Sequence, residues 1–284
     1  MNWPEYLINA CKGDNRKPNE KRMNVTHLFD APLIRTLSIK YWDKIERKPE
    51  DMIWALWGTA VDTIVKSHNS TGMIDLKLEL PYDDFIIVGK PDIYYPIDGL
   101  LVDVKTTSVW NLKEAKLAWT HQLNCYKYMM AKLMPQLKVN KMQVHGIARD
   151  WRPVEKLRYD DYPDCPFVIL NIPVLDDIEQ AIDMAIKEHK HNPERECLPD
   201  ERWQKQDQYA VMKQGRKSAL RVLNSDVEAK KWCIENEYIE NWTTGKLKSG
   251  INIVKRPGVC TRCQSYCPTS SFCPFYKKNV NETN

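Results

Sequence analysis

The sequence predicts an α/β fold in which a mixed central β-sheet is flanked by helices. Three observations carry this prediction. Apolar and polar residues alternate over residues 73–80, as they do in a half-buried strand. Two apolar runs within residues 85–107 are separated by Pro96-Ile-Asp-Gly99, a composition typical of a hairpin connection. Apolar side chains then recur every three or four positions over residues 111–134, which indicates a long amphipathic helix.

The residues before these segments predict an irregular N-terminus that is followed by two helices. Residues 1–25 are polar and predict a flexible N-terminal arm. Residues 26–47 favour a helix after Pro32, and residues 51–68 favour a buried helix that begins at an acidic cap. Gly58 inside that helix costs roughly 1 kcal/mol against Ala, so we expect another backbone to pass close to it.

Downstream, residues 138–149 and 166–174 predict further strands, and residues 175–191 predict a helix. Residues 200–245 read as helical and are rich in lysine and arginine, which suits contact with a phosphate backbone or a solvated helix face. The predicted organisation has four parts: a flexible arm over 1–25, an α/β core over 26–192, a basic helical C-terminal extension over 193–255, and a Cys-rich metal-binding tail over 256–284 that packs on the core.

Composition excludes several classes of protein. The chain has 284 residues, of which 43% are hydrophobic, and a net charge of +4 that permits a polyanionic partner. No apolar run approaches about 18 residues, so we expect no membrane span. The N-terminus lacks the basic and apolar regions of a signal peptide, which predicts a cytoplasmic protein. Structural disulfides are rare in that compartment, so the nine cysteines need another explanation.

Charged residues converge at the predicted hairpin. Side chains alternate along a strand, so Asp103 and Lys105 share one face while Val104 points into the core. Asp92, at the end of the partner strand, can reach the same face. Two carboxylates beside an ammonium are a workable site for Mg²⁺, which binds through one or two carboxylates and keeps several waters.

Motifs in this order resemble the PD-(D/E)XK nucleases, specifically the RecB-type branch, and the pattern is most similar to the stand-alone nucleases of bacteriophages. The motifs are Gly58-Thr-Ala-Val-Asp62, Gly89-x-x-Asp92, Asp103-Val-Lys105, Gln122-Leu-Asn-Cys-Tyr126 and a closing cysteine cluster. The resemblance covers about residues 26–175 and 256–276. It implies a restriction-endonuclease-like core and a metal-dependent nuclease activity.

The resemblance also implies roles for individual residues. Asp92 and Asp103 would be the primary ligands of Mg²⁺ or Mn²⁺, with the main-chain carbonyl of Val104 as a third. Lys105 would orient or deprotonate the attacking water, or stabilise charge on the phosphate. The alternatives are that Asp92 is a turn residue, Asp103 a solvated strand end, and Lys105 an ordinary ion-pair partner of Asp103.

The residues of the helix motifs allow more than one interpretation. Asp62 occupies the position at which the family usually has a metal-binding His. A carboxylate is also a suitable ligand for Mg²⁺ or Mn²⁺. The alternative is that Asp62 is a helix-surface residue. Glu79 and His68 are further candidate ligands, each with a surface position as its alternative. Gln122 and Tyr126 are four residues apart and share a helix face, which in the resembling families lines the active site. An ordinary amphipathic helix with a buried Tyr is the alternative.

Four cysteines crowd into residues 260–273 with the spacing C-x₂-C-x₃-C-x₅-C: Cys260, Cys263, Cys267 and Cys273. Turn residues between thiols this close predict one metal centre with a structural role. A [4Fe–4S] cluster and Zn²⁺ both accept four cysteines. The resembling iron–sulfur nucleases place one ligand near the N-terminus, where this chain has Ala31-Pro32, so both metals stay open.

These features together predict a metal-dependent deoxyribonuclease, an exonuclease acting on linear DNA ends or single strands in recombination, replication or repair. Phage or host recombination proteins are the expected protein partners. Two alternatives stay open: a catalytically silent DNA-binding scaffold with the same fold, and a CRISPR-adaptation-type nuclease that trims DNA within a larger complex.

Overall fold

The structure, a computed structural model, describes residues 3–12, 17–241 and 243–282. Its helices are α1 (Glu5–Lys12), α2 (Val25–Leu28), α3 (Pro32–Lys40), α4 (Pro49–Ser67), α5 (Leu117–Leu133), α6 (Ile178–His191), α7 (Asp226–Glu235), α8 (Thr261–Ser265) and α9 (Pro274–Glu282). Its strands are β1 (Arg22–Asn24), β2 (Met73–Ile74), β3 (Leu78–Tyr82), β4 (Phe85–Gly89), β5 (Ile93–Tyr95), β6 (Leu100–Thr107), β7 (Lys141–Ala148), β8 (Phe167–Asn171), β9 (Gln208–Lys213), β10 (Arg221–Leu223), β11 (Ile239–Asn241), β12 (Lys246–Leu247) and β13 (Ile251–Arg256). Within these residues, no helix combines the length and the apolar composition needed to cross a membrane.

The chain forms two compact units. The first comprises Met1–Glu196 and Ser271–Phe275, and the second comprises Cys197–Ser270 and Tyr276–Asn284.

The first unit contains a mixed sheet, as predicted. Its five strands lie in the order β2-β5-β6-β7-β8, and only the β6–β7 pair is parallel. The predicted hairpin is present as β5 and β6, with Ile93 opposite Val102. Parallel neighbours need a crossover connection, and α5 supplies it between β6 and β7. A second sheet of the same unit has the order β1-β4-β3.

The core of the first unit lies between α5 and the sheet. Leu101 of β6 and Val144 of β7 pack in one cluster with Leu123 and Met130 of α5, and all four are fully buried. Because side chains two apart on a strand share a face, Asp103 lies on the same face of β6 as Leu101. The strand therefore carries Asp103 under α5, where its side chain is buried.

The second unit is built mainly from strands. β10, β9 and β13 form an antiparallel sheet, and β11 pairs with β12. α7 begins at Ser225, whose side chain accepts a hydrogen bond from the Glu228 N–H, and buries Ala229 and Cys233 against Val211. The expectation of a helical C-terminal extension over 193–255 is therefore wrong. Residues such as Lys213 and Arg221 lie on an exposed β-hairpin, and α7 is the extension's one helix among its described residues.

The N-terminal prediction also needs correction. Residues 22–24 are part of the fold and do not form a flexible arm, because β1 pairs in parallel with β4 and buries Met23. Residues 5–12 form α1. Residues 1–2 and 13–16 of the predicted arm lie outside the described residues.

Two details of the predicted core differ as well. The single strand over residues 73–80 is divided into β2 and β3, which belong to different sheets; Asp75 between them has a positive φ of 53° that an extended strand cannot accommodate. Helix α4 is not a buried helix. It exposes Trp54, Trp57 and Ile64 and buries only Lys66, and a Cβ on Gly58 would meet no atom within 4 Å, so no neighbouring backbone explains that glycine.

Candidate active site

A cavity of about 540 Å³ lies in the first unit, where α4, β4, β6 and α5 meet. Seven of the nine residues that the sequence analysis proposed for catalysis or for Mg²⁺ binding line it: Asp62, Asp92, Asp103, Val104, Lys105, Gln122 and Tyr126. Glu79 and His68 do not line it. Glu79 is an exposed ion-pair partner of Arg22, and His68 lines a separate cavity with its Nδ1 2.9 Å from the Ile64 carbonyl oxygen.

Gln122 is the centre of the hydrogen-bond network in the cavity. Its amide nitrogen donates to Asp103 Oδ1 at 2.9 Å and to the Tyr126 hydroxyl at 3.1 Å. Its amide oxygen accepts a hydrogen bond from Lys105 Nζ at 3.3 Å. Gln122 and Tyr126 are one turn apart on α5, and Asp103 and Lys105 share a face of β6, so one helix and one strand place all four groups.

Asp103 is the most deeply buried carboxylate of the site, with 2% of its surface exposed. Burial raises the pKa of Asp103 to about 6, because Lys105 lowers that pKa less than burial and the nearby Asp92 raise it. Its Oδ2 lies 2.8 Å from Lys105 Nζ but makes no hydrogen bond of good geometry. Burial also raises the pKa of Tyr126 to about 12, which keeps its hydroxyl protonated at neutral pH.

Lys66 is a member of the site that the sequence analysis missed. This lysine is 6% exposed, and its Nζ lies 2.8 Å from Asp62 Oδ2, 2.8 Å from Asp92 Oδ1 and 2.9 Å from Asp75 Oδ1. Burial lowers the pKa of Lys66, but hydrogen bonds to the three carboxylates outweigh it and hold the pKa above its ordinary value. The available signal was the spacing of Asp62 and Lys66, four residues apart on a helix.

Asp92 is held at both oxygens. Its Oδ1 accepts a hydrogen bond from Lys66, and its Oδ2 accepts one from the main-chain N–H of Val104 at 2.8 Å. Asp92 directly precedes β5, and the hydrogen bond from Val104 fixes it against β6. Val104 itself points to the other face of the sheet, where its side chain is half-buried and lines a second cavity instead of lying in the core.

Two observations bear on whether the cavity suits a divalent cation. Asp62 Oδ1 and Asp103 Oδ2 are buried oxygens without a hydrogen-bond partner, and both residues line the cavity. Carboxylate oxygens of this kind are the ligands that Mg²⁺ and Mn²⁺ prefer. As they stand, however, no three His, Cys, Asp or Glu side chains of the described residues are arranged to hold a metal ion. The ammonium of Lys66 contacts both Asp62 and Asp92, so its single positive charge offsets part of their negative charge.

The four clustered cysteines likewise form no metal-holding group among the described residues. All nine cysteines of the chain lie within the described residues, and none of them forms a disulfide bond. Cys260, Cys263 and Cys267 are half-buried in the second unit, and no metal-holding group of three side chains includes them. Cys273 is buried and belongs to the first unit. The thiols as placed do not form a ligand set, and an iron–sulfur or zinc centre at these cysteines stays a prediction.

Comparison with known proteins identifies a similar fold but no family. No family model and no curated protein matches the chain. The crystal structure of SSO0001 is similar to it with a TM-score of 0.50 and 15% identity, covering 70% of this chain and 91% of that chain. A phage-related exonuclease from Haemophilus somnus 129PT aligns with a TM-score of 0.36 and 11% identity over 61% of this chain and 93% of its own. LHK-Exo in complex with dAMP aligns with a TM-score of 0.32 and 11% identity over 61% of this chain and 87% of its own. The two exonuclease likenesses are too weak to carry an argument. The chain thus shares its fold with SSO0001, and membership of the PD-(D/E)XK nucleases stays a prediction.

Proposed function

We propose that this chain is a metal-dependent deoxyribonuclease, an exonuclease that hydrolyses DNA phosphodiester bonds in the cavity between α4 and β6. One observation carries the proposal. A nearly fully buried carboxylate, Asp103, lies 2.8 Å from the ammonium of Lys105 in a cavity that also holds Asp62 and Asp92. Burying a charge beside other charges costs folding free energy, and groups arranged this way are candidates for chemistry.

A divalent cation would be held by Asp62, Asp92, Asp103 and the main-chain carbonyl of Val104. When bound, Mg²⁺ or Mn²⁺ supplies polarisation of the phosphoryl oxygen and stabilisation of the leaving oxyanion. Asp103 must be ionised to accept it, and with a pKa of about 6 this carboxyl is mostly ionised at pH 7 to 8.

The remaining residues act on the substrate or on one another. Lys105 is a quarter exposed, so its ammonium reaches the cavity, where it can stabilise negative charge on the phosphate or orient the attacking water. Gln122 positions both reacting groups, since it holds Asp103 with its amide nitrogen and Lys105 with its amide oxygen. Tyr126 in turn accepts a hydrogen bond from Gln122 and fixes the orientation of that amide.

The contacts of Lys66 support a second candidate function. Because its ammonium occupies oxygens of both Asp62 and Asp92, the cavity is also consistent with a catalytically silent DNA-binding protein in which an ion-pair network replaces the metal. The two candidates differ in one observable, which is cleavage in the presence of a divalent cation.

The test incubates the purified chain with end-labelled linear DNA and with circular DNA, in Mg²⁺, in Mn²⁺ and in EDTA. We expect metal-dependent degradation of the linear DNA and survival of the circular DNA. Asp103→Ala and Lys105→Ala should each abolish cleavage while DNA binding persists. Asp183→Ala is the matched control, because Asp183 forms a comparable carboxylate–lysine pair with Lys187 on the exposed face of α6. Binding without cleavage in either metal would favour the silent protein, and activity within tenfold of wild type in either site variant would contradict the assigned site.

A further inference from the structure

Two exposed tryptophans of the first unit each lie under a cation. The indole of Trp54 is 58% exposed although the guanidinium carbon of Arg149 lies 4.1 Å from the centre of its ring. Trp110 is 43% exposed, with Lys113 Nζ 4.4 Å from its ring centre. Single exposed apolar side chains are common on protein surfaces, but an exposed indole beside a cation presents an aromatic ring and a positive charge at one place.

Trp54 stands at the edge of the candidate active site. Trp54, Gly58 and Asp62 are spaced by four residues and follow one stripe of α4, and the latter two line the cavity. The stripe from Trp54 to Asp62 spans about 12 Å along the helix axis. A Cβ on Gly58 would meet nothing within 4 Å, so the surface between the tryptophan and the carboxylate is open.

Arg149 connects this surface to the other side of the cavity. Its main-chain N–H donates to the Thr107 carbonyl at 2.9 Å, directly after the cavity residues at the end of β6. Among the described residues no carboxylate pairs with the Arg149 guanidinium, so its positive charge is available to a ligand. The next residue, Asp150, accepts a hydrogen bond from the Val109 N–H at 2.7 Å and another from the Ser108 hydroxyl at 2.7 Å.

Those hydrogen bonds fix the short 3₁₀ segment Val109–Leu112, which carries Trp110. Tyr159 packs edge-on against Trp110, with 5.0 Å between the ring centres. Both tryptophans are therefore linked to the dipeptide Arg149-Asp150. The ring of Trp54 contacts the guanidinium of Arg149, and Asp150 accepts a hydrogen bond from the main-chain N–H of the residue before Trp110. We call Trp54, Trp110 and Arg149 the stacking surface.

We propose that the stacking surface binds the unpaired bases of single-stranded DNA and so delivers a single strand to the cavity. This inference rests on the proposed nuclease function and names its substrate class. An exposed indole offers a stacking partner for any base, and an arginine beside it adds attraction to the phosphates. In a duplex each base is already stacked on its neighbours, so an aromatic surface gains little from paired DNA. The charge of Arg149 fits a polyanion, and the open stretch at Gly58 leaves room for the backbone to continue to Asp62.

The test measures binding without cleavage. The full chain in EDTA is titrated into a fluorescein-labelled oligothymidine of about 12 nucleotides, a length within the range that single-strand sites cover. A blunt hairpin duplex of the same length is measured in parallel. Trp54→Ala should weaken oligothymidine binding on the order of tenfold, the size expected for one stacked base, and change duplex binding less than twofold. Trp54→Phe should restore most of the affinity because it restores a ring.

Trp203→Ala provides the matched control, since Trp203 is 50% exposed and also lies under an arginine, Arg262, but belongs to the second unit. It should bind as wild type does. Arg149→Ala should reduce the slope of log affinity against log salt, whereas Trp54→Ala should leave that slope unchanged.

The outcomes separate this inference from the proposed function. Selective loss of oligothymidine affinity in Trp54→Ala supports the inference whether or not the protein cleaves DNA. A wild-type chain that cleaves DNA while Trp54→Ala binds oligothymidine normally overturns the inference and leaves the nuclease standing. Equal loss of oligothymidine and duplex binding, or an equal effect of Trp203→Ala, also overturns it, because the surface would then not distinguish unpaired bases.

Discussion

The ammonium nitrogen of Lys66 lies 2.8 Å from Oδ1 of Asp92, in a cavity where a metal ion would use the same carboxylate. Lys66 also contacts Asp62, which is the residue at the position where the resembling nucleases carry a metal-binding His. The resident ammonium therefore offsets part of the negative charge that Asp62, Asp75 and Asp92 bring together. A metal ion that binds there must either displace this ammonium or share its carboxylates.

Replacing Lys66 tests this competition. Lys66→Met should lower the free energy of unfolding in EDTA, because it leaves three partly buried carboxylates without their counter-ion. We expect a loss of about 1–3 kcal/mol, below the range for fully buried pairs because Asp75 is 42% exposed. Added Mn²⁺ should raise the melting temperature of this variant more than that of wild type, because the variant has no ammonium to displace.

Lys187→Met is the control for the lysine prediction, since it removes an exposed lysine that pairs with an aspartate four residues away on a helix, as Lys66 does. Its stability in EDTA and its response to Mn²⁺ should match those of wild type, which differential scanning fluorimetry would show. Equal stability of Lys66→Met and wild type in EDTA would mean that the network around Lys66 is not a counter-ion arrangement.

The raised pKa of Asp103 should make stability depend on pH in the direction opposite to that caused by most carboxylates. Its folded-state pKa of about 6 lies above the ordinary value of 3.8, so between these pH values the folded state binds more protons than the unfolded state. The free energy of unfolding therefore falls as pH rises through this window and stays reduced above pH 6. Asp103→Asn removes the buried charge and should stabilise the metal-free protein at pH 8 by about 1–3 kcal/mol.

Urea unfolding in EDTA at pH 8 and at pH 4 checks the Asp103 prediction. The difference between Asp103→Asn and wild type should shrink strongly at pH 4, where the wild-type carboxyl is protonated. A variant that is less stable than wild type at pH 8 would show that the ion pair with Lys105 outweighs the burial of Asp103.

The hairpin and the convergence of its charged residues could be predicted because they depend on local patterns. The alternation of side chains along β6 places Asp103 and Lys105 together whatever the rest of the chain does, and Pro96 to Gly99 marks the turn. Helix α5 was equally visible from its apolar period, which brings Gln122 to the same face as Tyr126.

The second unit and Lys66 could not be predicted because their structure depends on distant partners. β9 is stabilised by β13, with Tyr209 opposite Lys255, and a short apolar run like that of β9 does not distinguish a strand from a helix until its partner is known. Lys66 ends an amphipathic helix, where a lysine is ordinarily exposed. Its burial follows from Asp75 and Asp92, which lie in other elements of the fold.

The four clustered cysteines remain predicted metal ligands. If Zn²⁺ or a [4Fe–4S] cluster gathers these thiols, its binding free energy adds to the stability of the folded chain. We expect near-stoichiometric zinc or iron in anaerobically purified protein, and loss of that metal together with a lower melting temperature in Cys263→Ser. Cys165→Ser, which replaces an exposed cysteine outside the cluster, should retain both. Wild-type protein with neither metal and with all four thiols reactive would contradict the prediction.

Gly89 at the end of β4 lies close to the ring of Tyr126, which belongs to the hydrogen-bond network of the candidate site. A Cβ at Gly89 would lie 2.7 Å from Cε1 of Tyr126, which is 3% exposed and has little room to move. Gly89→Ala should therefore cost about 1–3 kcal/mol of stability by overpacking. It should also lower DNA cleavage, because displacing Tyr126 disturbs the hydrogen bond that orients Gln122.

Gly58→Ala is the matched control for this last prediction. Its Cβ would meet nothing within 4 Å, and Ala is the better helix former, so we expect a gain of up to about 1 kcal/mol. A double-mutant cycle between Gly89→Ala and Tyr126→Phe then separates the two effects of the clash. If Gly89 acts on cleavage through the Tyr126 hydroxyl, the two losses of activity should be non-additive, while the stability loss of Gly89→Ala persists because the Phe ring keeps Cε1. Fully additive losses of activity would place the effect of Gly89 elsewhere in the site.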